Sequence, residues 1–286
     1  MTRPVAGSVV AILGFVIALA GCGGHDRPTA HVLYAGSLVN LMERQIGPGF
    51  AHASGDGYQG YGAASRAIAN AIKADVKTGD VFVAASPSVN DTLTGRANGT
   101  WVRWYASFGT APLVLAYSPS SRYADDLRTR RWVDVLTEPG IRVGITDPVL
   151  DPKGKLTVTA LDAAQRAYGL PRTFASSVRD EASVFPEEDL LGRLQAGQLD
   201  VGFFYTSEAV PAHLRTVPLG RVHEAATYTV TLLERAADAT AGIAFVRYLL
   251  TAARPALAAG GVQVQTPTLH GDRAAVPAAL RTLLAG

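Results

Sequence analysis

Short, strongly apolar runs alternate along the chain with longer stretches whose apolar residues recur at helical spacing. Five of the runs have the length and composition of buried strands: 31–35, 80–84, 112–117, 142–145 and 201–205. Helices are predicted between them at about 38–52, 65–74, 154–168 and 187–195. Strands that alternate with helices in this way favour an α/β fold, in which parallel strands are covered on both faces.

The number of domains follows from the length and from the connections. A chain of 286 residues is too long for one minimal domain, so one large or two moderate α/β units are expected. No internal repeat or long unstructured linker marks a boundary after the first 30 residues. If there are two units, the chain must pass between them in ordered strands. The apolar runs 112–117 and 228–233 are the candidates.

The first 22 residues have the pattern of an export signal. Arg3 is the only charged side chain in residues 1–21, and residues 5–20 are apolar apart from Ser8 and two glycines. The sequence Leu19-Ala20-Gly21-Cys22 resembles the bacterial lipobox, whose cysteine is lipidated when the leader is removed. We therefore expect a lipoprotein signal peptide over 1–21, lipidation of Cys22 and a flexible tether over 22–30. An ordinary cleaved signal followed by a chance cysteine is the alternative.

Composition and motifs argue against several other classes of protein. The 26 Lys and Arg nearly balance the 24 Asp and Glu, so there is no strongly basic surface for nucleic acid. Cys22 is the only cysteine, which excludes an internal disulfide and a multi-cysteine zinc site. There is no P-loop, H-E-x-x-H or G-x-S-x-G, and the G-x-G-x-x-G string at 55–60 follows a predicted helix rather than a strand. We therefore predict neither an enzyme nor a cofactor.

Two serines lie where predicted helices begin, each in a glycine-rich context. Ser37 follows Gly36 directly after the first strand, and Ser65 opens the next helix after Gly60 and Gly62. Glycine lets a ligand approach the backbone, the hydroxyl can donate, and a helix N-terminus offers an anion free N–H groups and a favourable dipole. Each serine could also be an ordinary N-cap.

Acidic and aromatic residues lie near the ends of further strands. Asp147 and Asp151 belong to two Asp-Pro pairs in the loop after the fourth strand, where a carboxylate could point into a cleft or simply shape the turn. Glu187 begins an acidic helix start, where carboxylates also complement the helix dipole. Tyr205 ends the fifth strand. Because ligands gather at the carboxyl ends of strands in α/β proteins, a small-anion site is indicated.

Taken in order, these pieces resemble the periplasmic molybdate- and tungstate-binding proteins, in particular their archaeal-type branch. The similarity covers nearly the whole chain after the leader; its main segments are Tyr34-Ala35-Gly36-Ser37-Leu38, Asp80-Val81-Phe82-Val83-Ala84-Ala85, Leu113-Val114-Leu115-Ala116-Tyr117, Asp147-Pro148, Asp151-Pro152 and Leu199-Asp200-Val201-Gly202-Phe203-Phe204-Tyr205. It implies the type II periplasmic-binding-protein fold, with two α/β lobes joined by crossing strands and a ligand cleft between them. Lobe one would be 31–111 with 223–286, and lobe two 112–222.

The resemblance also implies roles for individual residues. Ser37 and Ser65 match the two serines that hydrogen-bond the oxyanion in that family, and Tyr205 matches a tyrosine near the ligand. Asp151, by its Asp-Pro-x-Gly context, and Glu187, by its spacing ahead of Tyr205, match two carboxylates that coordinate the metal centre of the oxyanion. The protein would hand molybdate or tungstate to an ABC permease and its ATPase, outside the cytoplasm and held to the membrane by its lipid.

The sequence departs from that family at the site. Ala64 replaces the usual glycine before the second serine, Lys153 replaces the cysteine of Asp-Pro-Cys-Gly, and two further acids beside Glu187 leave its register open. Two carboxylates repel a dianion in a desolvated cleft unless they bond its metal directly. Sulfate, phosphate or ferric iron therefore remains an alternative ligand. An exported serine hydrolase using Ser37 is a further alternative, but no nucleophile elbow or histidine partner is identifiable.

Overall fold

A computed structural model describes residues 27–285; the predicted leader, Cys22 and the start of the tether lie outside that range. Within it, the strands are β1 (Thr29–Ala35), β2 (Gly57–Ala63), β3 (Val81–Ala84), β4 (Trp104–Tyr117), β5 (Val143–Thr146), β6 (Val184–Phe185), β7 (Val201–Tyr205), β8 (Arg215–Pro218), β9 (Ala225–Leu232) and β10 (Gln263–Gly271).

The α-helices are α1 (Val39–Leu41), α2 (Gly47–Ser54), α3 (Ser65–Lys73), α4 (Pro87–Asp91), α5 (Ala124–Thr129), α6 (Trp132–Val135), α7 (Pro152–Ala167), α8 (Phe174–Val178), α9 (Glu187–Gln195), α10 (Thr206–Ala209), α11 (Ala239–Leu250), α12 (Arg254–Ala259) and α13 (Ala278–Arg281). A 3₁₀ turn at Gly36–Leu38 precedes α1, and a π-helical segment at Met42–Ile46 joins α1 to α2, so residues 36–54 form one continuous helical run.

The ten strands form one mixed sheet. Its neighbour order is β2-β1-β3-β9-β4-β7-β5-β6, with β8 and β10 also paired to β4. β1 pairs in parallel with β2 and β3, and β5 pairs in parallel with β6 and β7. β9 and β4 are antiparallel to their neighbours. Parallel strands therefore lie in two groups, which the antiparallel pair β9 and β4 connects.

β4 is the long strand that takes part in both groups. Its residues 104–112 pair with β9 and β10, whereas its residues 113–117 pair with β7 and β8. The strand predicted over 112–117 is thus the second half of a longer one. Most of the other predicted crossing, residues 228–233, lies in β9, which pairs with β3 and with the first half of β4.

α3 shows how a sequence pattern becomes a position in the fold. Ile68 and Ile72 are buried at helical spacing, whereas Asn70 and Lys73 are exposed. The buried face packs against β1 and β3, where Phe82 is completely buried. Burying such an apolar stripe is what stabilises a surface helix in water. The packing holds the first residue of α3 beside the end of β3.

The α/β class predicted from the sequence is confirmed. Four of the five predicted strands are present with ends displaced by no more than two residues, and the fifth lies inside β4; the helices predicted at 65–74, 154–168 and 187–195 correspond to α3, α7 and α9. β2, β6, β8 and β10 were not predicted. Among residues 27–285, no helix is both long enough and apolar enough to cross a bilayer.

Candidate functional site

Ser37 lies in the 3₁₀ turn that follows β1 directly. Ala35 occupies the N-cap position, so the alternative in which Ser37 caps the helix is wrong. The buried Ser37 hydroxyl instead bonds the hydroxyl of Tyr228 at 2.9 Å, and Tyr228 also bonds Ser207 at 2.7 Å. A hydroxyl can donate one hydrogen bond and accept others, so Ser37 retains bonding capacity for a ligand.

Ser65 is the first residue of α3, preceded at the N-cap by Ala64, and the capping alternative is wrong here too. Its buried hydroxyl oxygen accepts a hydrogen bond from the backbone N–H of Ala85 at 3.1 Å, which ties it to the end of β3. Because the oxygen is used as an acceptor, the hydroxyl proton is available to donate.

Asp151 caps α7 and also presents a free oxygen. Its Oδ1 accepts the backbone N–H of Lys153 at 3.0 Å. Its Oδ2 is buried and has no hydrogen-bond partner among residues 27–285. Burial raises the pKa of Asp151 above its usual value, although the nearby Lys153 ammonium acts in the opposite direction. The carboxylate is therefore costly to keep ionised unless a ligand uses its second oxygen.

The loop before α7 contacts the start of α3. The backbone N–H of Arg66 donates to the carbonyl of Leu150 at 3.2 Å, which brings Asp151 toward the helix that carries Ser65. Asp147 shapes the turn, which was one of the two roles considered for it from the sequence. Its Oδ1 accepts the backbone N–H of Val149 at 2.7 Å.

Glu187 is the first residue of α9. Of the three consecutive acids that begin this helix, Glu187 is buried, whereas Glu188 and Asp189 are exposed. Its Oε2 lies so close to Gly36 that a Cβ there would be only 2.5 Å away. That oxygen is buried without a hydrogen-bond partner in the described part of the chain. Burial, and then the charge of Asp151, raise the pKa of Glu187 well above its usual value.

Tyr205 ends β7 with its hydroxyl completely buried. The hydroxyl finds no hydrogen-bond partner within residues 27–285. Burial, and then the charge of Asp151 with a smaller contribution from Glu187, raise the pKa of Tyr205 well above its usual value, so the three groups lie within electrostatic reach of one another. Buried polar atoms without partners are uncommon in proteins, and three together indicate a place where a ligand would bond.

Two further charged residues at this place were missed by the sequence analysis. Lys153 is completely buried, with its Nζ 2.5 Å from Oε1 of Glu208 and 3.7 Å from Oε1 of Glu187. Burial alone would lower the pKa of Lys153, but the charges of Glu208 and Glu187 raise it above its usual value, so the ammonium stays charged. Two sequence features could have pointed to this buried pair: the lysine in Asp151-Pro152-Lys153-Gly154, and Glu208, an acid three residues after Tyr205.

Two cavities share Asp151 in their walls. One has a volume of about 440 Å³ and is also lined by Ala64 and Glu187. The other, of about 140 Å³, is also lined by Ala85. A small ligand in either cavity would therefore lie beside Asp151. Within residues 27–285, no group of three or more His, Cys, Asp or Glu side chains is arranged to hold a metal ion.

The sequence matches a known family over most of its length. Residues 30–263 match the sequence model of the family described as bacterial extracellular solute-binding protein. The chain belongs to this family. Membership implies a binding role rather than catalysis, and a location outside the cytoplasm.

Curated relatives of this solute-binding protein cover part of it. A Haloferax volcanii protein, provisionally named an ABC transporter molybdenum-binding protein, is 32% identical over 200 residues, which are 69% of this chain and 62% of that protein. The molybdate/tungstate-binding protein of Thermococcus kodakarensis is 26% identical over 141 residues, 41% of this chain and 40% of that protein. The matched regions thus span less than two thirds of the length of either relative.

The fold of the solute-binding protein has a counterpart among solved structures. The periplasmic molybdate-binding protein of Azotobacter vinelandii superposes with a TM-score of 0.63 and 15% identity, over 82% of this chain and 99% of that one. At this identity the likeness concerns the fold alone. It confirms the periplasmic-binding-protein fold that the resemblance implied.

Proposed function

We propose that this solute-binding protein captures molybdate or tungstate outside the cytoplasm and delivers it to an ABC permease and its ATPase. The observation that carries the proposal is a set of three buried oxygens that lack a hydrogen-bond partner within residues 27–285: Oδ2 of Asp151, Oε2 of Glu187 and the hydroxyl of Tyr205. The names of the Haloferax and Thermococcus relatives agree with such a ligand.

Two serine hydroxyls would complete the ligand's surroundings. Ser37 follows the glycine that Glu187 contacts, and Ser65 bonds the N–H of Ala85, which shares a cavity wall with Asp151. Both serines lie in the first turn of a helical segment, where backbone N–H groups and the helix dipole favour an anion. Hydroxyl donors would bond the outer oxygens of the oxyanion, whichever element lies at its centre.

The paired carboxylates favour molybdate or tungstate over sulfate or phosphate. Two unit charges 4 Å apart repel by about 1 kcal/mol in water and about 4 kcal/mol near a protein surface, so Asp151 and Glu187 oppose a dianion that only accepts hydrogen bonds. The metal centre of molybdate or tungstate can accept further oxygen ligands, which turns the same carboxylates into a source of binding. A bare cation such as ferric iron is disfavoured by the buried Lys153 ammonium beside them.

We further propose that residues 31–111 with 223–286 form one lobe and residues 112–222 the other. The change of partners along β4 between residues 112 and 113 supports this division. The two serines would then come from one lobe and Asp151, Glu187 and Tyr205 from the other, so the ligand would hold the lobes together. Small-angle scattering should show a smaller radius of gyration with saturating molybdate; an unchanged radius, with binding confirmed separately, contradicts closure.

Titration calorimetry of the protein without its leader tests the ligand. We expect Asp151→Asn and Glu187→Gln to weaken molybdate and tungstate at least about tenfold, while sulfate binding stays weak or improves as repulsion falls. Asp189→Asn and Glu181→Gln are matched controls, because they remove the same charges from exposed side chains that line neither cavity. If both site variants bind molybdate as the parent does, coordination by carboxylates is refuted.

The serines have a separate expected signature. Ser37→Ala and Ser65→Ala should weaken every oxyanion that binds, each by about 1–3 kcal/mol, because each removes a hydrogen bond to a charged ligand. An oxyanion whose affinity is unchanged in both serine variants does not bind at this place.

The lipid anchor is a further proposal, since Cys22 lies outside the described residues. The lipobox-like end of the leader supports it. Lipidation with more than one acyl chain would attach the protein stably to the membrane, where one chain alone would be marginal. Mass spectrometry of the protein from its native membrane should find Cys22 acylated at the mature N-terminus; a free Cys22 thiol there contradicts the proposal.

A further inference from the structure

Lys153 lies between two carboxylates but is held closely by only one of them. Its Nζ is 2.5 Å from Oε1 of Glu208 and 3.7 Å from Oε1 of Glu187. Glu208 is itself fixed, because its other carboxylate oxygen accepts the backbone N–H of Tyr205 at 2.9 Å. The ammonium is therefore anchored by a carboxylate that takes no part in the proposed ligand set.

The position of this ammonium makes the two oxygens of Glu187 different. Oε1 faces Lys153, whereas Oε2 lies against Gly36 and lacks a hydrogen-bond partner among residues 27–285. The terminal torsion of a glutamate is broad, so a carboxylate has no intrinsic preference for which oxygen points in a given direction. The nearby positive charge supplies that preference and directs the lone pairs of Oε2 toward the turn that carries Ser37.

We propose that Lys153 is a positioning residue for the oxyanion, acting through Glu187, and that Glu208 holds Lys153 in place. The inference rests on the proposed function above. It gives a role to the two buried charges, Lys153 and Glu208, that were not among the site residues predicted from the sequence. A buried ammonium without close carboxylates would be strongly destabilising, so the lysine and Glu208 are expected to work as a pair.

Lys153 also contributes to the charge of the site, and its two effects can be separated. With Asp151, Glu187 and Glu208 ionised, three negative charges surround one positive charge. Removing Lys153 alone adds net negative charge and should weaken every anion. Removing Lys153 together with Glu208 leaves the net charge unchanged but still deprives Oε1 of Glu187 of its partner.

Calorimetry with molybdate and with sulfate on the parent and two variants tests the proposal. Lys153→Met should bind both anions more weakly, molybdate by at least about tenfold. In Lys153→Met/Glu208→Gln, sulfate affinity should return to within about threefold of the parent while molybdate affinity stays at least about tenfold weaker. Arg166→Met removes one positive charge from an exposed side chain in the last turn of the same helix, outside both cavities, and should change either affinity by less than about threefold.

The outcomes distinguish this inference from the function on which it rests. A double variant that binds molybdate as well as the parent overturns the positioning role, because charge alone would then account for the loss in the single variant. A parent that does not bind molybdate overturns the proposed function, and that result is visible before any variant is made. If Lys153→Met does not fold, the double variant carries the test, since it removes both members of the buried pair and leaves neither unpaired.

Discussion

Tyr228→Phe would remove one oxygen from the middle of a buried row of hydroxyls. The Tyr228 hydroxyl bonds Ser37 at 2.9 Å and Ser207 at 2.7 Å, and none of the three residues is more than 2% exposed. The ring would stay stacked beside Phe108, whose centroid is 6.2 Å away, so packing is retained. The substitution therefore isolates two hydrogen bonds that connect β9 to the turn after β1 and to α10.

The expected loss of stability follows from those two bonds. A typical hydrogen bond contributes about 0.5–1.5 kcal/mol, and a buried polar group left without its partner costs about 1–3 kcal/mol. The free energy of unfolding should therefore fall by about 2 kcal/mol. At about 2–4 °C per kcal/mol for a domain of 150–250 residues, the Tm should fall by about 4–8 °C.

Scanning calorimetry of the ligand-free protein measures this change, with Tyr117→Phe as the matched control. Tyr117 on β4 is also buried, but its hydroxyl makes no hydrogen bond within residues 27–285, so its Tm should change by less than about 2 °C. Equal Tm values for the two variants would refute the reasoning. If Ser207 donates to Tyr228 and Tyr228 donates to Ser37, the Ser37 proton is left for the ligand. Molybdate binding should therefore also weaken in Tyr228→Phe, which loses the orientation of Ser37, but less than in Ser37→Ala, which loses the donor itself.

Two further changes have defined outcomes. Gly36→Ala would place a Cβ 2.5 Å from Oε2 of Glu187, so molybdate affinity measured by calorimetry should fall at least about tenfold. Gly192→Ala on α9 is the control: open space surrounds that position, and affinity should be unchanged. Burial alone would raise the pKa of Asp200, but hydrogen bonds from Arg142 lower it below 3.8 overall. The stability that this pair contributes is present above pH 3.8 and is lost as pH falls through the folded-state pKa of Asp200. In urea titrations between pH 5 and about 2, the free energy of unfolding should therefore fall more in the parent than in Asp200→Asn. Equal losses in the two proteins contradict this prediction.

β2 shows why part of the fold could not be predicted from the sequence. The segment Gly57–Ala63 contains three glycines and lacks β-branched residues, so its pattern does not indicate a strand. The pairing of β2 with β1 explains why glycine is needed here. A Cβ would lie 2.9 Å from the ring of Tyr34 on β1 if placed on Gly60, and 2.5 Å from it if placed on Gly62. The regular apolar runs needed no such information, since their composition alone indicates burial.

The candidate site was predictable where its residues follow strand ends or open helices. Ser37, Asp151 and Tyr205 could be named from that placement and from the family resemblance. Glu187 was named from the resemblance with its register left open, and its burial beside the exposed Glu188 and Asp189 makes it the inward-facing acid of α9. Lys153 could not be named, because a lysine near a helix start is ordinarily exposed. Its burial depends on Glu208, which lies 55 residues further along the chain.

β4 changes its partners without any interruption of the strand. Residues up to Pro112 pair with β9, residues from Leu113 pair with β7, and the proline at the change has no N–H to contribute to the ladder. The two groups of strands therefore cannot be exchanged as independent units. A chimera that exchanges one group with that of a relative would have to carry β4 whole, with its junctions beyond Trp104 and Tyr117 rather than at the midpoint. A fragment cut at residue 112 would expose unpaired edges on both products, and neither half would be a soluble module.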